Sequence, residues 1–260
     1  MKHVFGKTVV VALGGSVMFP DEIDPVRSPM HKRIGRRLGR LTSNGIDSQF
    51  LKSFRAFILN QIRRSHRRFI IVAGGGRIAR VYQKAAGEIV SVKNDDKDWL
   101  GIHATRCNAH LLRTIFREQA DPVVLDTRGK IKRLRYPVTI ASGWRPGNST
   151  DFVAMALAVD FPACRQAGRA SELVIMGKPE YVYDKDPQKF PGAKPFQEMR
   201  WKAYRRLVPK RWVPGAGAPV DPIAARLGEE KGVKTFVVGK DLKNFQNLLV
   251  GREARGTVVF

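Results

Sequence analysis

The sequence is poor in cysteine, poor in acid and without a long apolar run. Cys107 and Cys164 are its two cysteines, far apart and in no CxxC spacing, which excludes a disulfide framework and a Cys/His zinc site. No stretch approaches the roughly 18 to 20 consecutive apolar residues that a membrane-spanning helix needs. The apolar run at residues 8–13, behind Lys2, His3 and Lys7, imitates a secretory leader. Gly14-Gly15-Ser16 interrupts it, however, and the acidic Asp21-Glu22-Ile23-Asp24 follows. A cytoplasmic protein with no membrane partner is the expectation. The common catalytic signatures are missing too. There is no GxxxxGK[ST] phosphate loop, no GxGxxG after the first strand, and no HExxH, GxSxG or HRD set.

What is present bounds the answer further. The 260 residues suit one large domain or two intimate lobes, and 43% apolar residues supply a core that excludes intrinsic disorder. Lys and Arg number 47 against 23 Asp and Glu, a formal charge of +24. Such a chain attracts polyanions, whether nucleic acid, anionic membrane or phosphorylated metabolites. The cations gather in three clusters: Lys32, Arg33, Arg36, Arg37 and Arg40; Arg63, Arg64, Arg67 and Arg68; and Lys202, Arg205, Arg206, Lys210 and Arg211. A solvated basic surface and non-specific nucleic-acid contact both fit them. The sparse aromatics within the clusters argue against stacking on single strands.

Short apolar runs alternate with helical patterns. Strands are predicted at residues 8–13, 69–73, 138–141, 173–176, 235–238 and 257–259, and helices at 48–64, 78–86, 100–118, 150–158, 222–231 and 242–250. Most of the strand runs are continuously apolar, as strands covered on both faces are. The alternation predicts a three-layer α/β sandwich with a mostly parallel central sheet. Residues 185–195 and 210–222, rich in Pro, Gly and Lys, read as irregular excursions. Three glycine clusters follow predicted strands: Gly14-Gly15-Ser16, Gly74-Gly75-Gly76-Arg77, and the run from Gly143 to Asp151. A strand that ends in glycines and opens a helix offers backbone N–H groups and a positive dipole end to an anion. A lone turn of this kind is weak, but three in one α/β chain point to bound phosphates.

The order of motifs resembles the amino acid kinase superfamily, and within it the UMP kinases of archaeal-like type. The resemblance rests on Gly14-Gly15-Ser16-Val17, Gly74-Gly75-Gly76-Arg77-Ile78-Ala79-Arg80 and the run from Asp98 to Ala109. It continues through Gly143 to Asp151, Val182-Tyr183-Asp184-Lys185-Asp186-Pro187, and the run from Ala218 to Ala225. It covers nearly the whole chain. The histidine that isopentenyl phosphate kinases carry beside the glycine triplet is absent here. Val11, Ala12 and Leu13 stand where many superfamily members have a lysine, as in the archaeal-like subgroup. Lys178-Pro179-Glu180 departs from the usual Asn-x-Asp.

The resemblance implies the amino acid kinase fold, transfer of the γ-phosphoryl group from ATP to UMP, Mg²⁺ accompanying ATP, and a homohexamer. It implies a UMP lobe over residues 1–165 and an ATP lobe over 166–260. Gly14, Gly15 and Ser16 would meet the ATP phosphates through backbone donors, with Gly76 and Arg80 near the transferring group; Gly14, Gly15 and Arg80 are the catalytic set. Gly177, Lys178, Tyr183 and Asp186 would frame ATP. Gly75, Asp98 and the loop Trp144, Arg145, Pro146, Gly147, Asn148, Ser149 and Thr150 would hold UMP. No dedicated metal ligand is expected. Local chemistry leaves alternatives open. Asp98 also fits a first-turn acid of a helix near Leu100, and Ser149 an N-cap. Asp186 fits a turn before Pro187, and Asp221 an N-cap ahead of Pro222. A nucleotide- or nucleic-acid-binding regulator with little catalysis is the alternative function.

Overall fold

The structure, a computed structural model, describes residues 3, 5–20, 45–162, 171–187, 189–211 and 218–260. The basic cluster at residues 32–40 and the boundary between the two expected lobes lie outside the described residues. Among those described, the order is β1 (Thr8–Leu13), α1 (Gly15–Met18), α2 (Ser48–Ser65), β2 (Arg68–Ala73), α3 (Gly76–Ile89), α4 (Asn94–Ile115) and β3 (Val138–Ala141). Then come α5 (Thr150–Asp160), β4 (Glu172–Met176), β5 (Val182–Tyr183), β6 (Pro195–Phe196), β7 (Glu198–Met199) and α6 (Trp201–Leu207). The chain closes with α7 (Pro222–Lys231), β8 (Lys234–Val238), α8 (Leu242–Leu249) and β9 (Thr257–Val259).

Seven strands form one sheet in the order β3-β2-β1-β4-β8-β9-β7. All neighbours are parallel except β8 and β9. Alternation in each strand divides two cores. Val9, Val11 and Leu13 of β1 with Phe69, Ile71 and Ala73 of β2 face α2, α4 and α8. Val10 and Ala12 with Ile70 and Val72 face α5 and α7. The strands are therefore apolar on both faces, and the sandwich has three layers. In α5 all six residues from Val153 to Ala158 are buried, as befits a helix enclosed by sheet and neighbouring helix.

Two expectations shift. The helix expected from Leu100 begins at Asn94, because its polar first turns, Asn94 to Asp98, carry no apolar periodicity. The excursion at 185–195 is the loop of a small hairpin, since Val182 and Tyr183 pair antiparallel with Phe196 and Pro195. Caps follow the local chemistry. Ser149 Oγ accepts from the Phe152 N–H at 3.0 Å, and Asp221 Oδ1 from Ile223 and Ala224 at 2.7 and 3.0 Å, with Pro222 at the first helical position.

Candidate active site

Going outward from β1, the chain builds β2 and β3 on one side and β4 and β8 on the other, so β1 and β4 flank the topological switch point. Open α/β sheets bind ligands there, beyond the carboxyl ends of the strands. Those ends run straight into Gly14, Gly74, Gly177 and Gly239, while β3 runs into Ser142-Gly143. A cavity of about 1070 Å³ opens at this edge, lined among others by Gly14, Ser16, Arg80, Thr150, Gly177, Lys178, Tyr183 and Asp186. The structure thus brings together seven of the expected ATP-side residues. Gly15 and Gly76 pack against each other beside the cavity.

That packing supplies a second reason for the glycines. A Cβ on Gly15 would lie 2.0 Å from Gly76 N and 2.4 Å from its Cα, and one on Gly74 would lie 2.4 Å from Gly15 N. The β1 and β2 turns touch backbone to backbone, and Gly76 has φ +61° besides. The expectation that Gly14 donates to phosphate is corrected: its N–H is spent on Met176 O at 2.8 Å. The Gly177 N–H likewise goes to Val238 O at 3.1 Å. Gly15, Ser16 and Gly76 remain as donors, because they open α1 and α3, where a helix leaves its first N–H groups without intrahelical acceptors. Buried Asn108 of α4 holds the triplet by donating to Gly74 O at 2.7 Å and Gly75 O at 3.3 Å.

Asp98 is not a cap. It lies in the second turn of α4, and its Oδ2 accepts the Gly147 N–H at 2.7 Å, fastening the loop after β3 across the sheet end. Thr105 Oγ1 holds the root of that loop by accepting from Gly143 N at 2.8 Å. Trp144 is a core residue: its side chain is buried, and its Nε1 donates to Leu125 O at 3.3 Å. Arg145 Nε donates to Asn148 Oδ1 at 3.2 Å, within the loop. Of the expected UMP set, only Thr150 lines the large cavity. Asp186 sits in a turn, its carbonyl accepting from Lys189 N at 3.1 Å, and Tyr183 meets Tyr181 edge to face. Glu180 lies at the wall and pairs with Arg255 at 3.3 Å, so its carboxylate is turned to that arginine.

Sequence reasoning gave no site role to the acidic pair beneath the cavity. Asp151 opens onto the cavity, and Asp221 is buried beside it, hydrogen bonded by the Ser149 hydroxyl. Burial, then the neighbouring Asp221 charge, push the Asp151 carboxyl up to about 8. Burial also raises Asp221, partly offset by its hydrogen bonds from Ser149, Ala224 and Ile223. Buried Tyr204 seals the floor, donating to Val220 O and accepting from Val220 N, both at 2.7 Å. Asp151 therefore carries a proton in the folded chain across a range where the unfolded chain has lost it. This stabilising contribution is complete below about pH 4 and lost as pH rises toward 8. Asp151→Asn should gain melting temperature over the parent progressively from about pH 4 to pH 8, then level off. A gap that does not change with pH would show that the carboxyl titrates normally.

The chain matches the amino acid kinase family over residues 7–239. A uridylate kinase of Thermococcus sibiricus is 32% identical over 237 residues, covering 90% of each chain. One from Thermococcus kodakarensis is 32% identical over 255 residues, covering 96% of this chain and 98% of its own. Among solved structures, uridylate kinase from Archaeoglobus fulgidus superposes with a TM-score of 0.73 at 26% identity, over 100% of both chains. UMP kinase from Bacillus anthracis shares the fold, with a TM-score of 0.67 at 17% identity over 99% of this chain and 96% of its own. The chain belongs to the amino acid kinase family, and archaeal uridylate kinases are among its relatives there.

Proposed function

We propose that the chain is a UMP kinase, transferring the γ-phosphoryl group of ATP to UMP to give ADP and UDP. The observation that carries this is the interlocked pair of glycine turns at the ends of β1 and β2, beside a cavity that Arg80 and Lys178 line. Phosphoryl transfer asks for two nucleotides held in line and for positive charge around the moving group, with little covalent chemistry from protein. The amides of Gly15, Ser16 and Gly76 serve the phosphates, and Arg80 presents a guanidinium fork to them. Lys178, Tyr183 and Asp186 frame ATP. Mg²⁺ enters complexed with ATP and neutralises phosphate charge. UMP lies over Gly75 and the loop 144–150, which Asp98 holds down, so residues 1–165 supply the acceptor lobe and 166–260 the ATP lobe. Coupled ADP release should be fastest with UMP among UMP, CMP, dUMP and isopentenyl phosphate. A faster turnover of any other acceptor overturns the assignment, and no turnover of any favours the regulator.

Asp98 can hold the loop, the ribose, or both with its two oxygens. Asp98→Asn keeps an acceptor but loses the charge that strengthens such bonds. We expect the KM for UMP to rise about tenfold or more while that for ATP stays within about threefold. Equal changes in both would remove Asp98 from the acceptor side.

Self-association into a homohexamer is part of the proposal. Of the fourteen residues of α3 only Ala79 is buried, and Val81, Tyr82 and Ile89 on α3, Val90 just after it and Trp99 on α4 stand 53, 60, 82, 61 and 42% exposed. Residues 81–103 hold four carboxylates against three lysines, an acid-balanced stretch in a chain of +24. A second copy can approach this face without the repulsion met elsewhere. Tyr82→Glu with Ile89→Glu should lower the native mass measured by light scattering. An unchanged mass would place the interface elsewhere.

A further inference from the structure

We infer that the amino ends of the sheet strands, the edge opposite the cavity, form a binding face for the phosphate backbone of a nucleic-acid duplex. The pairing brings separate basic segments together there. Arg68 N donates to Lys7 O at 2.8 Å, Phe69 N to Pro137 O at 2.8 Å, and the Arg68 guanidinium to Leu134 O at 3.1 Å. The end of α2 thus abuts the segment that enters β3. Residues 63–68 hold four arginines and no acid, and residues 128–135 hold five cations and no acid. Arg128 and Lys130 are matched to Asp160 and Asp126. Arg63, Arg64, Lys132, Arg133 and Arg135 are exposed, and among the described residues none of them pairs with a carboxylate.

Unmatched like charges side by side repel one another and need a polyanion or dense counterions. The face lies a full strand length from the cavity, so two small nucleotides cannot use it. A duplex can, since its phosphates recur about every 1.7 Å of axis and their bound counterions are released on contact. Tyr136 is the large aromatic exposed in the segment, at 37%, which gives no stacking platform for a single strand and favours duplex backbone over unpaired bases. Binding is then sequence-independent and compatible with turnover at the opposite edge.

The test is fluorescence anisotropy with a 30-base-pair RNA duplex and a DNA duplex of matching sequence, across a salt series, alongside kinase activity. One variant replaces Arg63, Arg64, Lys132, Arg133 and Arg135 by Gln. A control variant replaces Lys52, Lys93, Lys194, Arg206 and Lys210, removing as many charges from other surfaces. We expect the first to weaken duplex binding at least tenfold at about 0.1 M salt and to reduce the salt slope by about 3 or more. Its KM for UMP should stay within about threefold, and the control should bind nearly as the parent does. RNA above DNA, or the reverse, identifies the backbone that the face prefers. Equal losses in both variants would mean diffuse attraction to net charge and overturn the face. So would binding to vesicles of anionic phospholipid but to neither duplex, which would make the partner a membrane surface. Because kinase activity is read separately, failure here leaves the phosphoryl-transfer assignment standing.

Discussion

Gly15→Ala should abolish most activity in a chain that still folds. The new methyl group would sit 2.0 Å from Gly76 N, a backbone atom that cannot rotate away, and Gly76 is itself held at φ +61°. The turns must part, which costs about 1–3 kcal/mol of stability as overpacking does. The larger effect is on rate. Gly15, Ser16 and Gly76 are the amides proposed for the phosphates, and moving such donors by about 1 Å costs on the order of a hundredfold. We therefore expect kcat/KM to fall at least a hundredfold. Gly87→Ala is the matched control. It lies in α3, exposed, with nothing near its added methyl group, and should gain up to about 1 kcal/mol of stability with activity intact. Near-parental activity for Gly15→Ala would show that the contact between turns is irrelevant to the reaction.

Arg80→Ala should cost about 2–4 kcal/mol of transition-state stabilisation, roughly thirty- to thousandfold in kcat/KM. Arg80 stands one turn into α3 and reaches the cavity beside Gly14 and Ser16. With Val11, Ala12 and Leu13 at the end of β1, no cation comes from that strand, and the proposal gives Arg80 more of the charge. Arg80→Lys keeps the charge and loses the planar fork, so its activity should fall between the two. Steady-state kinetics with both substrates varied decide this, and a folded Arg80→Ala variant within threefold of the parent removes the residue from the site.

The strands were legible because their apolar runs are continuous and end in glycine, as at Leu13-Gly14 and Ala73-Gly74. The start of α4 was not, since Asn94 to Asp98 are all polar and leave no apolar period to read. Neither was α6, only seven residues long, nor the two-residue strands β5, β6 and β7, whose pairing is fixed by distant partners. In the site, the glycine turns announced themselves through strand ends, whereas the roles of Asp98, Asn108 and the Asp151–Asp221 pair depend on contacts far apart in sequence. Ser149 and Asp221, for example, meet across 72 positions. Asn108 lay within a motif that matched the family, which marked it without saying what it holds.

One chain of bonds crosses the whole site. Gly74 N donates to Leu13 O, Gly14 N to Met176 O, and Gly177 N to Val238 O, each linking one strand end to the next from β2 to β8. These backbone bonds tie the ends of β2, β1, β4 and β8 into one continuous floor beneath the proposed nucleotide positions. In the proposed assignment, what encloses the substrates lies above the floor, where Asp98 fastens the loop at Gly147. In that assignment, alignment of the reacting phosphates is built into the floor before either substrate arrives.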